Sequence, residues 1–146
     1  MSAGTAKIAV RVADVAKVND LVTRFKFERI DGGLLPAFSG GAHSVVEMDD
    51  NGTNRLNPYS LMSDPMDQSA YTISVRRNDK GRGGSLFMHT HVKLGMGMVI
   101  SNPVNLFSLD LSARKHLMIA GGIGITPFLA QIKQLTALGG SFELHY

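Results

Sequence analysis

The stretch ARKHLMIAGGIGITP at residues 113–127 decides the fold, because it joins a continuous apolar run directly to a glycine-rich loop. Apolar residues at helical spacing follow the loop, at Phe128, Leu129, Ile132 and Leu135. Thr126 is a suitable helix N-cap, Pro127 suits the first helical position, and Gly139 suits the C-terminal stop. Residues 141–146 then alternate as a strand does. The stretch therefore predicts a strand, a glycine loop, a helix and a second strand.

Upstream of this stretch, short alternating segments separated by turn residues predict strands. The predicted strands are Lys7–Asp14, Val22–Ile30, His43–Met48, Tyr59–Met62, Tyr71–Arg77 and Met98–Ser101. One short helix is predicted at Ser85–His91. The pattern predicts a mainly β fold, in which a six-stranded antiparallel barrel over residues 1–111 precedes the first β-α-β unit of an α/β domain over residues 112–146.

Composition narrows the class of protein. The 146 residues are 44% hydrophobic and 18% charged, with a formal net charge of +3, which is typical of a globular chain and too weak to indicate nucleic-acid binding. The sequence has no cysteine, so it holds neither disulfides nor a cysteine-ligated iron–sulfur cluster. No secretion signal and no membrane-spanning run is apparent, and we expect a cytoplasmic protein. His89 and His91 lack a third ligand, so we predict no metal site.

Three segments carry residues suited to binding a nucleotide-like ligand. Gly121–Pro127 offers free backbone N–H groups to a phosphate, or it is simply a tight strand-to-helix turn. Arg55–Leu61 places an aromatic ring beside a hydroxyl near an arginine, or it is a loop that enters a strand with a half-buried tyrosine. Asn78–Ser85 contains consecutive glycines that favour an anion-binding nest, or it is a flexible hairpin loop.

These segments occur in a fixed order: Tyr59-Ser60-Leu61, then GRGGS at residues 81–85, then GGIGITP at residues 121–127. This order resembles the ferredoxin–NADP reductase superfamily. The resemblance is strongest to the phthalate dioxygenase reductase and vanillate demethylase reductase group. It covers most of the chain from Pro36 onward. It implies a flavin-binding barrel at residues 1–111 and the start of a nicotinamide-binding domain at residues 112–146.

The resemblance implies a role for each matching residue around the flavin ring. Tyr59 would lie against the isoalloxazine, Ser60 would hydrogen-bond near its N5 edge, and Leu61 would contact it by backbone. The main chain of the next strand would bond the pyrimidine edge at Ile73, Ser74 and Val75. The nicotinamide and its pyrophosphate would be flanked by Gly121, Gly122, Gly124 and Thr126. Ser60 and Thr126 are the expected catalytic residues, since they would align hydride donor and acceptor.

The flavin phosphate is expected at Gly83, Gly84 and Ser85. The group usually has an arginine two residues before the tyrosine, whereas this sequence has Asn57 there and Arg55 further upstream. Either Arg55 reaches the phosphate by a different path, or the charge comes from Arg76 and Arg82. The resemblance favours FMN and leaves FAD open.

The implied activity is that of an NAD(P)H-dependent flavin oxidoreductase. In the intact family NADH reduces the flavin, which passes electrons to a [2Fe–2S] centre and on to a Rieske-type oxygenase or demethylase. The sequence predicts a truncated reductase, with self-association through its incomplete C-terminal unit. The [2Fe–2S] cluster is not expected in this chain, and the partner is a terminal oxygenase or ferredoxin-type acceptor. A flavin-binding remnant or interaction module without turnover, and a reductase of diffusible flavin, are the alternatives.

Overall fold

Six strands form one antiparallel sheet that curls into a half-barrel. The computed structural model describes residues 6–146, so Met1–Thr5 of the predicted first domain lie outside the described residues. The strands are β1 (Lys7–Lys17), β2 (Val22–Arg29), β3 (His43–Asp50), β4 (Thr53–Ser60), β5 (Tyr71–Arg76) and β6 (Gly97–Ser101). Their order is β4-β3-β6-β1-β2-β5, and each neighbouring pair is antiparallel. The predicted six-stranded antiparallel sheet is confirmed.

The alternating apolar residues of β1 and β2 build the core of the half-barrel. Val10, Val12 and Phe25 are fully buried, and Ile8 and Phe27 are nearly so. Burying each of these side chains contributes about 1.5–3 kcal/mol. The period of two therefore fixes which face of each strand points inward.

The fourth strand is longer than the sequence indicates. The predicted strand Tyr59–Met62 is wrong in its bounds, because β4 begins at Thr53 and ends at Ser60. The strand starts directly after a two-residue hairpin turn in which Asn51 and Gly52 both have positive φ. Pro58 is tolerated inside the strand because β4 is an edge strand of the sheet.

A short helix, α1 (Gly84–Thr90), packs against the half-barrel. It matches the predicted helix Ser85–His91 within one residue at each end. Phe87 and Met88 are buried and belong to the main core cluster. Its N-terminal end therefore lies next to the edge of the sheet that β4 forms.

The C-terminal residues form the predicted β-α-β unit. Strand β7 (His116–Ile119) leads through a 3₁₀ turn (Gly122–Ile125) into helix α2 (Thr126–Leu138), and β8 (Phe142–His145) pairs with β7 in parallel. The helix covers one face of this pair through a small core of Met118, Phe128 and Leu135. Among residues 6–146, no helix is long and apolar enough to cross a membrane.

The start of α2 differs from the sequence prediction. Thr126 is not an N-cap: it is already helical, with φ −57°, and its hydroxyl donates a hydrogen bond to the carbonyl of Ile123 at 3.1 Å. The reason is that the 3₁₀ turn continues directly into the helix, so no extended residue precedes α2. Pro127 lies in the first turn, and Gly139 ends the helix in the left-handed conformation, as predicted.

Candidate functional site

The inner face of β4 presents three polar side chains in a row. Arg55, Asn57 and Tyr59 alternate along the strand and are each half-buried, while Leu56 and Pro58 point outward. The amide of Asn57 donates a hydrogen bond to the Tyr59 hydroxyl at 3.1 Å. Burial raises the pKa of Tyr59, and the hydrogen bond from Asn57 opposes this shift. The tyrosine is therefore neutral and fixed in orientation at physiological pH.

The glycine loop that follows β5 packs directly on this row. Gly83 has φ +107°, a conformation that favours glycine, and an added Cβ there would lie 2.9 Å from Cζ of Arg55. An added Cβ on Gly84 would lie 2.9 Å from Cγ of Asn57. The loop is closed at its base by Ser85, whose Oγ accepts a hydrogen bond from the backbone N–H of Asn78 at 3.0 Å. The two glycines are thus required by the close approach of the loop to β4.

Arg55 lies on the glycine loop. It is four residues before Tyr59, whereas the phthalate-type group usually has its arginine two residues before the tyrosine. Its Nε donates to Oδ2 of Asp50 at 2.9 Å, and its Nη1 donates to the carbonyl of Arg82. Arg55 therefore reaches the glycine loop from the inner face of β4. Asp50 was missed by sequence reasoning, since it was counted only as a turn residue.

Strand β5 and the C-terminal unit line one cleft of about 480 Å³. Ser74 and Arg76 face it from β5, and Gly122, Ile125 and Thr126 face it from the 3₁₀ turn and α2. Cavities of this size are typical of small-molecule and cofactor sites. The structure therefore brings the predicted residues Ser74, Arg76, Gly122 and Thr126 together.

The other predicted residues of β5 point elsewhere. The side chains of Ile73 and Val75 are buried in the barrel core. Only the main-chain groups of Ile73 and Val75 are therefore candidates for contact with a ligand, and their predicted backbone role stays a prediction.

Ser60 and Leu61 occupy a neighbouring position. Ser60 lines a second cleft of about 470 Å³ together with His43, Phe107 and Pro127, whereas Thr126 faces the first cleft. Leu61 is fully buried, and its N–H donates to the carbonyl of Ala42 at 2.9 Å. The structure therefore places Ser60 and Thr126 on two different clefts, of which the second also borders Pro127 in the first turn of α2.

The C-terminal glycine loop is open. Gly121 is extended, with φ −129°, and Gly122 is left-handed, with φ +58°. An added Cβ at Gly121, Gly122 or Gly124 would meet no atom within 4 Å. Thr126 follows this loop and is buried. The loop therefore has room in front of its backbone, which is what the approach of a phosphate requires.

The junction between the half-barrel and α2 was not predicted. The N–H of Gly40 donates to Oε1 of Gln134 at 2.7 Å, and Nε2 of the buried Gln131 donates to the carbonyl of Phe107 at 2.7 Å. The side chain of Asn105 donates to Oγ of Ser39 at 2.6 Å. The pair of glycines at residues 40–41 was the only signal in the sequence. The contacts of Gln131 and Gln134 hold the middle of α2 against the half-barrel.

The two histidines at the end of α1 have structural partners. The ring of His89 hydrogen-bonds the carbonyl of Val75 at 2.8 Å, and the ring of His91 stacks on Phe87 with centroids 5.0 Å apart. Within the described part of the chain, no three His, Cys, Asp or Glu side chains are grouped as metal ligands.

Curated relatives of this chain are reductase subunits. It is 49% identical over 137 residues to the carnitine monooxygenase reductase subunit of Escherichia coli strain K12, covering 94% of this chain and 43% of that protein. It is 40% identical over 139 residues to the vanillate O-demethylase oxidoreductase of a Pseudomonas species, covering 95% of this chain and 43% of that protein. The chain thus spans about 43% of the length of these relatives. No protein-family model matches it.

Solved structures share the fold. Phthalate dioxygenase reductase, described as a modular structure for electron transfer from pyridine nucleotides to [2Fe–2S], matches with a TM-score of 0.89 and 36% identity over 96% of this chain and 43% of that one. The FAD/NAD-binding domain of a nitric oxide dioxygenase from Vibrio cholerae matches with a TM-score of 0.80 over 95% of this chain and 63% of that one, at 22% identity, and shows the fold alone. The predicted resemblance to phthalate- and vanillate-type reductases, and the ferredoxin reductase-like fold, are confirmed.

Proposed function

We propose that this chain carries the flavin-binding part of an NAD(P)H-dependent flavin oxidoreductase. In this proposal it is the reductase component that passes electrons from NAD(P)H through FMN toward the iron–sulfur centre of a Rieske-type oxygenase or demethylase. The observation that carries the proposal is that Arg55 and Tyr59 share one face of β4 while the loop at Gly83 packs on that same face. The names of the relatives support the same class of activity.

The residues present fit a flavin phosphate. A phosphate carries close to two negative charges, and an arginine binds such a group through two parallel N–H bonds. Arg55 is held at Gly83, and Gly84 and Ser85 complete the loop with backbone N–H groups. Arg76 is exposed at the end of β5 and supplies a second charge. We assign the phosphate to Gly83, Gly84 and Ser85, with Arg55 as its main cation.

The flavin ring is assigned to the opening between β4 and β5. Tyr59 packs against the ring, and the main chain of β5 bonds its pyrimidine edge at Ile73, Ser74 and Val75. The N–H of Leu61 already donates to Ala42 and its side chain is buried in the core, so the backbone contact assigned to Leu61 falls to its carbonyl. The cleft lined by Ser74 and Thr126 has the volume expected of a cofactor site.

A bound flavin supplies the acceptance of a hydride from NAD(P)H and the release of single electrons. The chain itself would orient the flavin and the nicotinamide and exclude water from between them. Ser60, from the second cleft, and Thr126, from the first, would align the reacting edges. The loop Gly121–Gly124 leaves space for the nicotinamide nucleotide. The hydroxyl of Thr126 already donates a hydrogen bond to the carbonyl of Ile123, so it can only accept a hydrogen bond from a ligand.

Identification of the bound flavin tests the proposal. The purified chain, reconstituted with an equimolar mixture of FMN and FAD and then desalted, is expected to retain flavin absorbance and to release FMN, as judged by mass spectrometry. The GRGGS segment at residues 81–85 supports FMN, since it resembles that of phthalate-type reductases. Retention of FAD alone would correct the choice of flavin, and retention of neither would contradict the proposal.

The C-terminal unit supports a proposal of self-association. Leu117 and Ile119 of β7 are 62% and 72% exposed, and among residues 6–146 β8 is the single strand that pairs with β7. Exposed apolar side chains on an open sheet favour contact with a second copy. Light scattering coupled to size exclusion is expected to show a dimer or larger species at high concentration, and a monomer throughout would contradict this.

A further inference from the structure

Asp50 and Arg55 face each other across the tight hairpin between β3 and β4. Asp50 pairs with Thr53 at the end of β3, which places its carboxylate beside the side chain that projects from Arg55. The distance between Nε of Arg55 and Oδ2 of Asp50 is 2.9 Å, and the two side chains are only 27% and 26% exposed. The pair is therefore partly shielded from water, which strengthens it relative to a surface ion pair.

The other side of the Arg55 guanidinium rests on the glycine loop. Nη1 donates to the carbonyl of Arg82, and an added Cβ on Gly83 would lie 3.0 Å from Nη2. Nη2 itself makes no hydrogen bond with any of residues 6–146. Because a guanidinium is planar, two fixed N–H groups determine where the remaining ones point. The free amino group of Arg55 is thus held at the surface of the loop.

We propose that Asp50 is a positioning residue that holds Arg55 in the orientation needed to grip the phosphate of the flavin. This inference rests on the proposed function and extends it to a residue that has no contact with the ligand. Asn57 is neutral and engaged with Tyr59, so it supplies no charge to the loop. Arg55 must therefore act from two residues before Asn57 on β4, and a long flexible side chain in that place needs an anchor.

The test compares FMN with riboflavin, which has the same ring and no phosphate. Asp50→Asn is expected to weaken FMN binding roughly 3- to 10-fold, as expected for loss of a partly shielded ion pair, and to leave riboflavin binding unchanged. Both affinities are measured by titration of flavin fluorescence. Glu28→Gln is the matched control, since it removes the Arg11–Glu28 pair of equal length, 2.9 Å, on strands β1 and β2.

The same substitution in a chain without Arg55 distinguishes a positioning role of Asp50 from a general effect on the fold. In an Arg55→Ala chain, Asp50→Asn is expected to leave FMN affinity unchanged, because Asp50 acts through Arg55. If Asp50→Asn does not fold, Asp50→Ser provides the same comparison. Three outcomes would overturn the positioning role. In the chain that retains Arg55, Asp50→Asn weakens FMN and riboflavin equally or leaves FMN affinity unchanged. In the Arg55→Ala background, Asp50→Asn weakens FMN binding further. Failure of the unsubstituted chain to bind either flavin would instead refute the proposed function, and the positioning role with it.

Discussion

Replacing Gly40 with alanine is expected to loosen the contact between the half-barrel and α2. An added Cβ would lie 2.6 Å from Cα and 2.8 Å from the backbone nitrogen of Gln131. These are main-chain atoms, so no change of rotamer relieves the overlap. Non-bonded carbon atoms prefer a separation of about 3.5–4.0 Å, so α2 has to move by about 1 Å.

The cost follows from the contacts that this movement disturbs. The hydrogen bonds from Gly40 to Gln134 and from Gln131 to Phe107 are both 2.7 Å long. Each contributes about 0.5–1.5 kcal/mol net, and residual overpacking costs about 1–3 kcal/mol. Because relaxation relieves part of the strain, we expect the free energy of unfolding to fall by about 2–4 kcal/mol. The cleft lined by Thr126 should widen as well, since Thr126 begins the displaced helix.

Urea unfolding followed by circular dichroism measures this loss. Gly97→Ala is the control: its added Cβ would meet only Cδ1 of Ile30, at an ordinary 3.8 Å, so its stability should stay within about 0.5 kcal/mol of the parent chain. A Gly40→Ala chain as stable as the control would refute the reasoning, because it would mean that α2 does not rest on the half-barrel as described.

Three further substitutions test individual contacts. Asn57→Arg, which restores the arginine of the related pattern, is expected to lower stability by about 1–3 kcal/mol without improving FMN affinity, because Gly84 packs on that side chain; tighter FMN binding would contradict this. Gly83→Ala should cost about 1–3 kcal/mol in thermal unfolding and weaken FMN more than riboflavin, since its φ of +107° strains any side chain; an unchanged chain would argue against the loop geometry. Burial raises the pKa of Tyr71 in the folded chain above about 10, the pKa of an unfolded tyrosine. The contribution of neutral Tyr71 to the free energy of unfolding is therefore complete below about pH 10 and is lost as the pH rises above that value. Between pH 9 and 11.5 the free energy of unfolding should therefore decrease less steeply for Tyr71→Phe than for the parent chain. Parallel curves for the two chains would contradict this prediction.

The parts of the fold that were predictable from sequence are those governed by local periodicity. Val10, Val12 and Phe25 alternate with polar residues, so their strands and inward faces follow from the pattern alone. Gly139 marks the end of α2 because it adopts φ +71°, a conformation in which glycine is strongly preferred. The start of α2 was predicted wrongly at Thr126, because nothing local distinguishes an N-cap from a residue that continues a 3₁₀ turn.

The contacts that organise the candidate site were beyond sequence reasoning because they depend on register and on distant segments. The pairing of Asp50 with Arg55 appears only once the hairpin register is known. Gly40 and Gln131 are far apart in the chain and meet only after the two units have docked. The order of the three segments was visible in the sequence, whereas the contact of Arg55 with the glycine loop required coordinates.

Amide chemical shifts measured during an FMN titration test whether a flavin lies beside β4 and β5 with its phosphate on the glycine loop. Saturable shifts are expected at Tyr59, Val75, Gly83 and Ser85, whereas Glu28, which pairs with Arg11 and lines neither cleft, should be unaffected. Riboflavin should reproduce the shifts at Tyr59 and Val75 and lose those at Gly83 and Ser85. Shifts confined to other surfaces, or none at saturating FMN, would contradict the account.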